Sequence, residues 1–158
     1  SVKSFCKQTN RGTREQVVQS VICETQVNPD HSAATNYETL TWCQLQEIKS
    51  NELFTIGGHT LYHDIMTSQP KEKMQMDVAA TLNLLDYNLD QTTDQFSYPE
   101  GQNDHFGDLV IGVLKDHGIT CSPSAICGLN NSREDLFNLR RVMPGFLNMR
   151  FPLWDTTL

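Results

Sequence analysis

Apolar residues recur at helical spacing in four stretches of the chain. The first follows a capping-box pattern at residues 13–16 and continues through Val17, Val18, Val21 and Ile22. The last is closed by His117 and Gly118, which suit the final turn and the C-cap of a helix. The predicted helices cover residues 13–25, 41–50, 70–87 and 105–117.

Short apolar runs that end at glycine or proline lie between these helices. They predict strands at residues 53–58, 95–98, 119–121 and 139–143, and the polar residues 28–38 predict a loop. Helices and strands therefore alternate over much of the chain, which is typical of parallel strands joined by helical crossovers. The sequence predicts an α/β architecture and one domain over residues 1–158, without internal repeats.

Composition narrows the possible functions. The chain has 158 residues and a formal net charge of -7, and an acidic chain is poorly suited to binding nucleic acid. No apolar run is long enough to predict a transmembrane helix. The five cysteines are odd in number and lack C-x-x-C spacing, which favours free thiols in a reducing compartment.

Two histidines stand directly after the predicted strand 53–58. His59 and His63 are four residues apart, and Gly57 and Gly58 before them allow a close approach of the backbone. Neutral imidazoles are common ligands of zinc and similar divalent metals, and this spacing can direct both rings to one ion. The same pattern also fits two surface or hydrogen-bonded histidines, so both interpretations stay open.

Two further segments place polar groups at predicted strand ends. Residues 96–102 contain Pro99-Glu100-Gly101, a turn whose backbone N–H groups suit an oxyanion hole, although a plain tight turn explains it equally. The strand 139–143 carries Arg140 and Arg141. An arginine there would face an acidic substrate or orient a carboxylate, or else be an exposed charge at a sheet edge.

Taken in order, these segments resemble the NodB-homology polysaccharide deacetylases, and in particular the branch that acts on exopolysaccharides. Residues 54–63 resemble the family's strand and H-[ST]-x-x-H motif, and residues 96–101 resemble its R-x-P-[YF]-G turn. Residues 139–142 resemble the closing strand. The resemblance covers residues 39–145 and implies a partial or deformed (β/α) barrel, with residues 1–38 as a connecting segment.

The resemblance implies metal-assisted hydrolysis of N-acetyl or O-acetyl groups on an acetylated polysaccharide or oligosaccharide. It assigns His59 and His63 as ligands of a divalent metal, typically zinc, beside an Asp ligand. The turn backbone at Glu100 is expected to stabilise the oxyanion, with Arg141 as a further catalytic candidate. Tyr98, Pro99 and Gly101 are the expected substrate-binding residues.

Parts of the family pattern are missing. No T-F-D-D motif, which would supply the general base and the Asp ligand, is present in the 158 residues, and no late L-x-H motif matches His105 or His117. Ser97 stands where the turn motif has arginine, and Asp64 follows His63 where the family often has proline. We therefore expect the first strands of the domain to be absent, which would leave an open sheet edge that a second copy, or residues outside this sequence, would cover.

Three interpretations follow. The chain is the larger part of a metal-dependent deacetylase, a non-catalytic carbohydrate-binding relative, or an unrelated α/β protein without a metal. The family works mostly at the cell envelope or on exported polysaccharide, whereas the cysteines favour the cytoplasm, so the localisation stays open.

Overall fold

The computed structural model describes residues 2–9, 11–27 and 39–142. The predicted loop at 28–38 and the end of the predicted strand at residue 143 lie outside the described residues. A 3₁₀ turn at Met66–Ser68 precedes the longest helix. The helices and strands are α1 Val2–Gln8, α2 Arg11–Thr25, α3 Trp42–Lys49, α4 Lys71–Leu89, α5 Asp108–Asp116, β1 Pro123–Cys127 and β2 Leu139–Arg141.

All four predicted helices are confirmed, with shifted ends. The capping box predicted at Thr13 is wrong, because α2 already begins at Arg11 and Thr13 lies within it. A capping box does form at the start of α3. The Thr41 hydroxyl accepts from the Gln44 N–H at 3.3 Å, and the Gln44 side-chain oxygen accepts from the Thr41 N–H at 2.8 Å. Helix α1 was not predicted.

The predicted parallel pairing is confirmed, but two predicted strands are misplaced. Strand β1 pairs in parallel with β2, and isolated parallel bridges join Gly58 to Phe96 and Gln95 to Cys121. Of the predicted strand 53–58, only Gly58 pairs. The third strand was expected at 119–121, where Cys121 forms a bridge, and the extended ladder begins only at β1.

These parallel segments follow one another in space in the same order as in the chain. Helix α4 connects the Gly58 segment to the Phe96 segment, and α5 connects the Phe96 segment to β1. The expected α/β architecture is therefore confirmed as an open row of parallel segments in the part of the chain that the structure describes. Because parallel segments present their carboxyl ends at the same edge, the loops after Gly58, Phe96 and β1 meet there, beside the end of β2.

The core lies between α4, α5 and the parallel segments. The ring of the buried Tyr98 stacks on the ring of the partly buried Phe106, with their centroids 4.5 Å apart. In contrast, α2 has no buried residue, and its predicted apolar face is only partly covered by the described residues, since Val17 and Ile22 are half-buried and Val18 and Val21 are exposed. The buried apolar residues of the core are Met66, Met74, Val78, Phe96, Tyr98, Val110, Val113, Leu114, Ile119 and Phe137.

Candidate active site

An open cleft of about 390 Å³ lies at the carboxyl ends of the parallel segments. It brings together the three segments that the sequence singled out, which are far apart along the chain. A larger cleft of about 480 Å³, between the C-terminal ends of α3 and α4, contains no histidine and lies away from this chemistry. The residues that line the first cleft are His59, His63, Ser97, Tyr98, Glu100, Ala125 and Arg141.

The histidine loop starts from a tightly paired glycine. The Gly58 N–H donates to the Gln95 carbonyl at 3.0 Å, and the Ser97 N–H donates to the Gly58 carbonyl at 2.8 Å. A Cβ atom at Gly58 would lie 2.6 Å from the ring of Phe96, so only glycine fits against this buried ring. His59 therefore leaves the sheet at a fixed point beside Ser97.

The two imidazole rings approach each other edge to face. Their centroids are 4.8 Å apart, with an angle of 73° between the ring planes. His59 Nδ1 lies 2.7 Å from the carbonyl oxygen of Ser97. Because a carbonyl only accepts, Nδ1 carries the proton and Nε2 keeps its lone pair, which is the arrangement that metal-binding histidines commonly show.

Burial favours the neutral form of His59. Burial lowers the pKa of His59, and the nearby His63 and Arg141 lower it further, against the opposing effect of the Ser97 carbonyl. A neutral imidazole with an unprotonated Nε2 is the form that binds a metal ion. The chemistry of His59 therefore fits a metal ligand.

The loop between the histidines has an unusual backbone. Thr60 has φ 60° and His63 has φ 55°, both in the left-handed region. For residues other than glycine this conformation costs of order 1–3 kcal/mol each, and it persists only where the surroundings enforce it. Such strain is typical of functional loops.

The turn after Tyr98 is also left-handed, with φ 60° at Glu100 and φ 62° at Gly101. The Gly101 N–H donates to the Pro99 carbonyl at 2.7 Å, and the Gly101 carbonyl accepts from the Ala125 N–H at 2.8 Å. Among the described residues, the Glu100 N–H has no hydrogen-bond partner. The Glu100 amide is therefore the donor of this turn that is available to a ligand.

The other predicted substrate-binding side chains are buried. Tyr98 is 1% exposed, and its hydroxyl donates to the Phe137 carbonyl at 2.9 Å. Pro99 is fully buried as well. Tyr98 therefore forms part of the cleft wall with its hydroxyl already bonded, whereas Pro99 and Gly101 are not among the residues that line the cleft.

Of the two neighbouring arginines, Arg141 is the one at the cleft. Its Nε donates to the Ser124 carbonyl at 2.6 Å, which fixes the guanidinium beside the histidines. The Arg140 side chain instead covers Gly128, where an added Cβ would lie 2.7 Å from Arg140 Cδ. The structure therefore distinguishes two residues that the sequence left equivalent.

Helices α1 and α2 contribute charged groups that the sequence did not indicate. Lys7 Nζ lies 2.6 Å from Glu100 Oε2, and the hydrogen bond from Lys7 is the main cause that lowers the pKa of the Glu100 carboxyl. Arg14 Nη1 lies 3.1 Å from Asp64 Oδ1. A small cavity of about 160 Å³ lies among these groups, lined by Cys6, Lys7, Arg14, His63, Ile65 and Glu100.

Asp64 is not available to a metal beside His63. Its side chain is 4% exposed, and its carboxylate is paired with Arg14 and with Lys73, whose Nζ lies 3.7 Å from Oδ2. Among the described residues, no group of three or more His, Cys, Asp or Glu side chains is arranged to hold a metal ion. The described chain therefore supplies two converging imidazoles, and a third ligand is not among these residues.

This combination of a parallel α/β fold with a histidine pair at the strand ends defines the class of protein. The sequence profile of the polysaccharide deacetylase family matches residues 15–122, more than half of the chain, and the chain belongs to that family. The match begins upstream of residue 39, where the resemblance was expected to start. No curated protein sequence matches significantly.

Solved deacetylase structures have a similar fold. The chain is similar to the deacetylase PplD of Streptococcus pyogenes, solved in complex with acetate, with a TM-score of 0.61 and 19% identity over 70% of this chain and 47% of that one. For the BpsB deacetylase domain of Bordetella bronchiseptica the TM-score is 0.59 and the identity 17%, over 65% and 48% of the two chains. For IcaB of Ammonifex degensii the TM-score is 0.57 and the identity 22%, over 67% of this chain and 48% of that one. The chain thus spans about half the length of these proteins. In the part of the chain that the structure describes, no helix is long and apolar enough to cross a membrane.

Proposed function

We propose that this chain takes part in the metal-dependent hydrolysis of acetyl groups on a polysaccharide, most directly the N-acetyl groups of an amino sugar. The observation that carries the proposal is the pair His59 and His63, with the His59 Nδ1 proton directed to the Ser97 carbonyl and Nε2 left for a ligand. Family membership supports the reaction class. The resemblance of residues 39–145 to the exopolysaccharide branch of the family supports an exopolysaccharide as the substrate.

His59 and His63 would hold the divalent ion, for which zinc is the candidate that suits imidazole ligands. When bound, the ion polarises the acetyl carbonyl and makes a water molecule a stronger nucleophile. In the overall reaction, water adds to the carbonyl carbon, the C–N bond breaks, and acetate and a free amine leave. The third ligand and the general base are not among the described residues.

The remaining groups of the cleft act on the substrate. The Glu100 N–H would donate to the oxygen of the acetyl carbonyl as negative charge develops on it. Arg141 adds a fixed positive charge to the cleft. Tyr98 lines the cleft and would pack against the sugar, whereas contacts of Pro99 and Gly101 with the substrate stay a prediction, because neither residue lines the cleft.

A second function, carbohydrate binding without catalysis, is favoured by one observation. The described residues lack a three-ligand metal cluster. Such a relative would keep the cleft and the wall residues while releasing no acetate. Cover of a sheet edge by a second copy remains a prediction for either function.

The test measures zinc stoichiometry of the chain and acetate release from an acetylated amino-sugar oligomer. We expect His59→Ala and His63→Ala to lower bound zinc and to abolish acetate release. His117→Ala, at the C-terminal end of α5, is the matched control and should change neither. Unchanged zinc stoichiometry in the double variant would refute the metal site, and zinc binding without acetate release would favour the binding function.

A further inference from the structure

Asp77 of α4 reaches the middle of the histidine loop. The Leu61 N–H donates to Asp77 Oδ1 at 2.8 Å, and the Thr81 hydroxyl donates to the same oxygen at 3.2 Å. Leu61 is the residue midway between His59 and His63. The carboxylate is thus held by its own helix at Thr81 and by the loop at Leu61.

Besides Asp77, helix α2 also contacts the loop, because Arg14 Nη2 donates to the Tyr62 carbonyl at 3.5 Å. Gly58 and Ser97 fix its start, through the backbone bonds of the parallel pairing. Among the described residues, Leu61 is the one residue between the two histidines whose backbone N–H donates a hydrogen bond. The left-handed conformations of Thr60 and His63 lie on either side of it. A loop with two strained residues needs an enforcing contact, and Asp77 supplies it.

We propose that Asp77 is a positioning residue that holds the Leu61 backbone and thereby keeps the His59 and His63 rings convergent. Asp77 lines no part of the cleft, so it does not touch the substrate or the expected metal position. Its effect passes through the backbone of Leu61. The consequence for zinc rests on the proposed function, whereas the consequence for the loop does not.

The test compares Asp77→Ala with Asp77→Asn in the full chain. The alanine variant removes the acceptor, whereas asparagine keeps an oxygen that can accept from the Leu61 N–H. We expect Asp77→Ala to shift the Leu61 amide proton upfield and to raise the dissociation constant for zinc about 10- to 100-fold, the range for lost supporting contacts at metal ligands. Asp77→Asn should restore most of both. Asp86→Ala, an exposed position on the same helix, is the control and should change neither.

The outcomes separate this inference from the proposed function. If Asp77→Ala binds zinc as tightly as the wild-type chain with an unchanged Leu61 resonance, or if asparagine fails to rescue, the positioning role is wrong. If the wild-type chain binds no zinc, the proposed metal site fails. In that case the Leu61 resonance and the ring-to-ring nuclear Overhauser effects of His59 and His63 still decide the positioning role. If the alanine variant does not fold, the asparagine variant is measured alone. Retained Leu61 and histidine signals in Asp77→Asn then support the positioning role, and their loss contradicts it.

Discussion

The Nδ1 atom of His59 lies 2.7 Å from the carbonyl oxygen of Ser97, across the one bridge that joins the first two parallel segments. The same segments exchange backbone bonds between Gly58, Gln95 and Ser97. The orientation of the imidazole is therefore set by the pairing of the sheet. Ser97 stands where the family's turn motif has arginine, and it orients the His59 ring through its backbone carbonyl.

This contact predicts a specific tautomer for His59. Since Ser97 offers only an acceptor, we expect neutral His59 to carry its proton on Nδ1. His105 provides an internal comparison with the opposite tautomer. Its Nδ1 accepts from the Gln102 N–H at 3.2 Å, so the proton of the neutral ring must be on Nε2. Two-bond ¹H–¹⁵N correlation spectra at pH 8 without metal distinguish the two tautomers. An Nε2–H tautomer at His59 would contradict the structure.

The sequence predicted the helices, and several of the residues that meet at the cleft, better than it predicted the strands. Helical periodicity and capping residues are local signals, and all four predicted helices form. Strand β1 was missed because its pattern of burial comes from pairing with β2, and 11 residues separate the two strands in the chain. Short apolar runs elsewhere in the sequence looked equally like strands. Local signals do not encode a partner strand.

In the candidate site as well, local sequence patterns were found and long-range contacts were missed. His59, His63 and the turn at Glu100 were found because their residue types and spacing are visible in the sequence. Lys7 and Asp77 were missed, since an exposed lysine or aspartate on a helix has no local feature that marks its partner. Their contacts join residues 93 and 16 positions apart, respectively, and only the tertiary structure reveals them.

Gly58 and Gly112 should respond oppositely to alanine. At Gly58 the new Cβ would lie 2.6 Å from the ring of Phe96, which is 1% exposed and cannot move away. We expect Gly58→Ala to lower the free energy of unfolding by about 1–3 kcal/mol, as overpacking does. At Gly112, within α5, an added Cβ meets nothing within 4 Å, and alanine should raise stability by about 0.5–1 kcal/mol. Urea denaturation of both variants measures these changes, and similar signs at the two positions would contradict the packing described.

The ion pair between Arg14 and Asp64 should stabilise the histidine loop against α2. Asp64 is 4% exposed, so loss of Arg14 leaves a buried carboxylate with Lys73 alone at 3.7 Å. We expect Arg14→Leu to lower the free energy of unfolding by about 1–3 kcal/mol, the cost of a poorly satisfied buried polar group. Arg133→Leu, at an exposed position, is the control and should have little effect.

The double variant Arg14→Leu with Asp64→Leu tests the cause of that loss. Replacing both charges by apolar groups removes the unpaired carboxylate, so the double variant should recover much of the stability of the wild-type chain. Urea denaturation of the four proteins gives the coupling free energy. Additive losses from the two substitutions would show that the ion pair does not connect α2 to the loop.

Tyr98 predicts a loss of stability in alkali. Burial raises the pKa of the Tyr98 hydroxyl to about 12, from 10.0, and the charges of Asp135 and Cys121 act in the same direction. Below pH 10 the hydroxyl is protonated in both states, and its contribution is fully present. As the pH rises from about 10 to about 12, the unfolded chain releases this proton first, so unfolding becomes easier by about 2–3 kcal/mol in total. Tyr98→Phe should cost about 1 kcal/mol at neutral pH, because the Phe137 carbonyl loses its donor.

The measurement is the difference in free energy of unfolding between the wild-type chain and Tyr98→Phe, by urea denaturation at pH 8 to 12. Subtraction removes the lysines and cysteines that titrate in the same range, because both proteins contain them. We expect the difference to favour the wild-type chain at pH 8 and to decrease, then reverse, as the pH approaches 12. Tyr87→Phe is the matched control, since Tyr87 is 87% exposed and loss of its hydroxyl leaves no buried carbonyl without a donor. A difference for Tyr98→Phe that stays constant from pH 8 to 12 would mean that the Tyr98 hydroxyl is not buried in the core.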